Sequence, residues 1–249
     1  MLFLRISRRA IAIVGILILL GVGVFSERFI STPAISDKPL EQVKTSEKVM
    51  AFTINVDWGE EYLPAILDVL DKEQAKVTFF VTGRWAKNHP ELLKQMAGRG
   101  HQIENHGYSH PHPDRLSVGA NQEEIKKTES IILRLIGYQT EYYAPPYGET
   151  GSPGLKAAKA LGYQTVLWTL DTVDWRPESA PEVIAARILR PAVRFGIKPE
   201  KRGAIILMHP KENTLKALPG MLKQLAKDGY RFVTLAELIT FGEEGNTTS

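Results

Sequence analysis

The sequence predicts an α/β chain folded as a single distorted (β/α) barrel of about seven units, preceded by one N-terminal membrane helix. Three observations carry this. Apolar strand-length runs alternate with amphipathic stretches of about ten residues, the pattern of βαβ units with parallel pairing. The strand runs, such as VMAFTINV at 49–56 and AIILM at 204–208, are apolar on both faces, as parallel strands covered by helices must be. The alternation runs through residues 49–241 with no internal repeat and no linker.

Taken in order, residues 1–26 hold the unbroken apolar and glycine run AIAIVGILILLGVGVF, with Arg5, Arg8 and Arg9 before it. A terminal apolar run behind a basic flank reads as an export signal. No clean small-x-small cleavage site follows, Thr32-Pro33-Ala34 being a weak candidate. A retained anchor is therefore preferred, with a cleaved signal and a secreted product as the alternative. Basic residues before the span keep the N-terminus inside and place the rest outside the membrane. Residues 27–48 mix charges with Pro33 and Pro39 and read as a linker.

Strands are expected at 49–56, 76–81, 101–104, 141–143, 164–169, 204–208 and 231–233. Helices are expected at 63–72, 90–99, 121–135, 153–161, 181–189, 214–227 and 235–240. The apolar positions Leu63, Ile66, Leu67 and Leu70 mark the first helix, and Gly100, Gly162 and Gly229 follow three others as stop signals. Residues 242–249 read as a tail.

Composition excludes several functions. The chain has 249 residues and no cysteine, so disulfides, thiolate metal sites and cysteine nucleophiles are ruled out. Of 31 basic residues three precede the first acid, Glu27, and from Ser26 onward the charges balance at 28 each. A neutral body offers no basic stripe for nucleic acid. Oligomeric state is not legible.

Four segments at strand ends carry the chemistry, where β/α barrels place it. In Thr53-Ile-Asn55-Val-Asp57-Trp58-Gly59, alternation puts Asn55 and Asp57 on one face, and a carboxylate there needs a partner or a metal. In His106-Gly-Tyr-Ser-His110-Pro-His112, the spacing predicts two imidazoles on one face of a helical turn. Joined to Asp57 they make a three-ligand set of the open, catalytic kind. His89 and His101 read as structural. Tyr143-Ala144-Pro145-Pro146-Tyr147-Gly148 is a loop made rigid by its prolines. Asp171-Thr-Val-Asp174-Trp175 faces Leu207-Met-His209, where Asp174 could stabilise a charged His209 and make it a general acid. Trp175 and Leu207 could form an apolar wall beside it.

Together these segments resemble the polysaccharide deacetylases with a NodB homology domain, carbohydrate esterase family 4, over residues 49–238. The N-terminal apolar segment and the Trp-Gly form of the first motif are most similar to sporulation-associated members. The resemblance implies metal-dependent removal of acetyl groups from N-acetylated sugars of cell-wall polysaccharide. It implies a divalent metal, usually zinc, held by Asp57, His106 and His110, with the Tyr147 backbone N–H helping to hold the oxyanion. His209 would protonate the leaving amine, Asp174 would orient it, and Trp175 and Leu207 would line an acetyl-methyl pocket beside Pro145 and Pro146.

Two positions depart from the family pattern. Asn55 stands at the place of the usual catalytic base, with Val56 inserted after it, and Ala144 replaces the arginine that pairs with that base. The losses are mutually consistent, because a neutral Asn55 gives an arginine no charge to hold. Asp57, Glu60 or Glu61 could take over the base role. The expected function is deacetylation of cell-wall glycan; the alternative is an impaired binding protein that keeps the metal site.

Overall fold

The computed structural model describes residues 36, 38–193, 196 and 198–242. The apolar run at 10–25 and most of the C-terminal tail lie outside the described residues. Among the described residues no helix is long and apolar enough to cross a membrane.

The elements are β1 (Val49–Val56), α1 (Leu63–Lys72), β2 (Thr78–Val81), α2 (Gly83–Asn88), α3 (Pro90–Gly98), β3 (Gln102–Asn105), α4 (Val118–Ile136) and β4 (Tyr142–Tyr143). They continue with α5 (Ser152–Ala160), β5 (Gln164–Thr165), β6 (Leu170–Asp171), α6 (Pro181–Leu189), β7 (Ala204–Met208), α7 (Glu212–Lys227), β8 (Arg231–Phe232) and α8 (Leu235–Thr240). The sheet runs β5-β4-β3-β2-β1-β7-β6, with β8 also on β1, and each of these pairings is parallel.

Chain connectivity forces the sheet to curl. Its two edges, β5 and β6, are joined by residues 166–169 alone. Five Cα steps reach at most about 17 Å, whereas seven flat strands would hold their edges about 29 Å apart. The single strand expected at 164–169 thus holds only β5 and the seam, and β6 begins just past it at Leu170. Leu40 pairs with Val166 on one side of that seam, and Gln42 pairs with Ala204 on the other. The segment read as a linker therefore joins the barrel from Leu40 on, and Val43 is buried in its interior cluster.

Alternation along β1 explains why the strand is apolar throughout. Met50, Phe52, Ile54 and Val56 face the helices, together with Phe79, Ile103 and Ile206. Val49 and Ala51 face inward, with Phe80, Ile205, and Leu235 and Leu238 of α8. The apolar plug fills one end of the barrel. Polar inward positions, Thr53 and Asn55 among them, climb toward the strand C-termini.

His101 is structural, as the sequence suggested. It is buried, its Nδ1 accepts the Val77 N–H at 3.3 Å, and its ring meets Phe79 edge-on. Burial, helped by the Lys76 charge, holds its pKa down to about 4. The unfolded chain therefore binds the extra proton between about pH 6.5 and 4. Stability should be full above pH 6.5 and fall through that window. In urea titrations, the stability of wild type minus that of His101→Gln should rise with pH from 4 to 6.5 and then level off.

Candidate active site

Every chemical segment sits at the C-terminal end of a parallel strand, so β1, β2, β3, β4, β6 and β7 bring them to one mouth. At the end of β7, His209 is held twice by Asp174. The His209 N–H donates to Asp174 Oδ2 at 2.7 Å, and its Nδ1 bonds Oδ1 at 2.8 Å. Thr214 Oγ1 adds a third bond at 2.7 Å. With Nδ1 spent on the carboxylate, Nε2 is the atom that can give a proton in the pocket. This is the pairing expected from the sequence. Asp174 reaches His209 through a strained loop: Val173 has φ +50°, unusual for a β-branched residue. Arg187 of α6 donates to the carbonyls of Thr172 and Val173 and holds that loop, a role with no sequence signal.

The His106–His110 pair converges, its ring centroids 4.9 Å apart, but not on a helical turn. Gly107 and His110 have φ of +75° and +57°, which no helix permits. The spacing misled because Glu124 of α4 gathers the loop, accepting the Tyr108 and Ser109 N–H groups at 2.9 and 2.7 Å. His106 Nδ1 donates to the Ala144 carbonyl at 2.7 Å, leaving Nε2 bare. Burial, reinforced by His110, lowers its pKa to about 3 and keeps the ring neutral. Burial also lowers the pKa of His110, against the raising influence of Asp57.

Asp57 lies at the mouth with His110, whose charged form it favours, but its oxygens are bonded elsewhere. Its Oδ1 accepts from Thr82 Oγ1 at 2.7 Å, and its Oδ2 forms an ion pair with Arg84. Among the described residues no group of three His, Asp or Glu side chains is arranged to hold a metal ion. The two imidazoles suit a metal; the third donor, as it stands, does not. Arg84 was not flagged in the sequence, and nothing in its local pattern distinguishes it from a solvated helix charge.

Asn55 is buried on the interior face, and its Oδ1 has no hydrogen-bond partner. Its register partner Phe80 shares the interior cluster with Ala144. Of the substitutes for a base, Glu60 lies toward His89, 3.9 Å from Nε2, and Glu61 is exposed. Neither is seen in the pocket.

Aromatic side chains stand open at the mouth: Trp58 is 41% exposed, Tyr147 58% and Trp175 48%. Tyr147, at φ +61°, presents its ring to His110 and stacks on His112 at 3.9 Å. His112 is held in turn by Glu149 at 2.6 Å. Pro145, Pro146 and Leu207 are buried. Trp58, missed as a site residue, stacks on His209 with centroids 6.0 Å apart. Gly59 makes this possible: at φ +86° a Cβ would come within 2.2 Å of the Pro210 carbonyl oxygen.

The structure is a curled parallel barrel with a histidine pair on one strand end and a carboxylate-held histidine on another. The chain belongs to the polysaccharide deacetylase family, whose model matches residues 42–166. It is 36% identical to the uncharacterized protein YlxY of Bacillus subtilis, over 83% of this chain and 62% of that one, and so spans less than two thirds of that relative. It is 34% identical to the peptidoglycan-N-acetylmuramic acid deacetylase PdaA of the same organism, over 78% of this chain and 73% of PdaA. Among solved structures it is similar to BA3943 of Bacillus anthracis, described as a CE4 family pseudoenzyme, with 35% identity and a TM-score of 0.74. That match covers 82% of this chain and 70% of BA3943, and a mutant of BA3943 is described as having restored enzymatic activity.

Proposed function

We propose that this chain recognises N-acetylated cell-wall glycan outside the cytoplasmic membrane, and that its own hydrolytic step is impaired on the water-activating side. The observation that carries this is Asn55. A buried amide with an unpaired Oδ1 stands where the family places its base, and it cannot take a proton at neutral pH. Ala144 supplies no arginine to a carboxylate put there. The relatives named as peptidoglycan deacetylases support a cell-wall glycan as ligand.

The rest of the pocket is suited to holding an N-acetyl sugar. Trp58, Tyr147 and Trp175 offer faces for sugar rings, His209 Nε2 is a hydrogen-bond donor or acceptor for the amide, and Leu207 offers an apolar surface to the methyl group. Zinc at Asp57, His106 and His110 belongs to the proposal only in a state where Arg84 has released Asp57. The intact His209–Asp174 pair favours a second reading, a slow deacetylase that has kept its general acid.

Binding is tested by titrating full-length protein in detergent with chito-oligosaccharides while following tryptophan fluorescence. N-acetylated oligomers should bind and quench, and their deacetylated counterparts should bind more weakly. Equal or absent response to both would contradict glycan recognition through the acetyl group.

A further inference from the structure

We infer that the Arg84 guanidinium takes a divalent ion's place as the counter-charge of Asp57 and competes with any metal for the Asp57–His106–His110 set. All the parts of this lock come from residues 82–84. Thr82 caps α2 through the Trp85 N–H and turns its hydroxyl to Asp57 Oδ1. Gly83 and Arg84 donate their backbone N–H groups to the carbonyls of Gly107 and Tyr108 at 2.9 and 3.0 Å. The start of α2 is thus fastened to the very loop that carries His106 and His110. That fastening delivers Arg84 over the Asp57 carboxylate.

The physics favours the guanidinium while no metal is present. Asp57 is only 13% exposed at its side chain, so its charge needs a partner. Arg84 is always protonated and its planar fork suits a carboxylate. A divalent ion entering between the imidazoles must displace Arg84 from Oδ2 or bind beside a like charge. Arg84 itself is half-exposed, so it can swing into water at small cost and its replacement should leave the fold intact. The inference goes beyond the proposal for Asn55, which concerns water activation rather than ion entry.

Competition against a chelating dye, using full-length protein in detergent, measures Zn2+ affinity directly. Arg84→Gln and Arg84→Ala should each bind Zn2+ about tenfold tighter than wild type or better, the order of effect that a single charge beside an ionised group exerts on its equilibria. Adding Asp57→Asn to Arg84→Ala should cancel the gain. Equal affinity in wild type and both variants would overturn the inference, as would a gain that survives Asp57→Asn. Co2+ gives a second readout. Its visible ligand-field bands should appear in Arg84→Ala at concentrations where wild type shows none, and bands of equal strength in wild type would overturn it. Neither readout involves acetate release, so this inference and the proposal for Asn55 can fail separately.

Discussion

Asn55→Asp combined with Ala144→Arg should release acetate from N-acetylated chito-oligosaccharide faster than the two single variants predict together. The assay is run with excess Zn2+ so that competition from Arg84 is overcome. The expected coupling is about 1–3 kcal/mol, the range for residues in one charge network. In rate that is on the order of five- to more than a hundredfold. The physical reason lies on both sides of the pair. Asn55→Asp alone buries a carboxyl group with no cation to meet it, and desolvation favours its neutral form. Ala144→Arg alone buries a guanidinium at a position now almost closed to solvent, with no anion to meet it. Together they neutralise each other and leave a base beside the pocket. A double variant no faster than its singles would show that the base side is not what the pocket lacks.

The second large effect is on stability. Asp174 is buried and receives three hydrogen bonds, two from His209 and one from Thr214. Asp174→Ala strips the partner from all three donors at once. The cost should be about 3–5 kcal/mol, the range for breaking a buried charged network. Urea denaturation at neutral pH measures it. Asp174→Asn keeps the shape and part of the accepting capacity, and should cost clearly less. A loss under about 1 kcal/mol for the alanine variant would mean that Asp174 does not hold the β7 end in place.

How much of this was legible before the structure depended on whether the signal was local. The strands at 49–56 and 204–208 and the helices at 63–72, 181–189 and 235–240 have the expected bounds, because periodicity and caps are properties of short windows. Helix α2 was missed because its six residues, GRWAKN, are too few to show a period. The run at 164–169 looked like one strand because apolar alternation cannot reveal that a sheet must curl at that point. His106 and His110 were rightly paired for a wrong reason: Glu124 and two left-handed residues, not a helix, bring them together. The Asp174–His209 pair was legible because each residue lies just past a strand end, in the loop after β6 and directly after β7, and parallel strands share a mouth. Arg84 could not be found this way, since its role depends on a backbone connection between α2 and a loop some twenty-five residues on.

Acetate release by wild-type protein and by His209→Ala, from N-acetylated chito-oligosaccharide and from peptidoglycan with excess Zn2+, tests the central claim most directly. The variant removes the group that would protonate the leaving amine, and its urea denaturation is measured alongside, because it also takes a partner from the buried Asp174. If hydrolysis is impaired as proposed, the two proteins release acetate at the same background rate while wild type still binds the N-acetylated oligomer. Steady release by wild type that His209→Ala abolishes would contradict the claim and identify a working deacetylase whose water is activated without a base at Asn55.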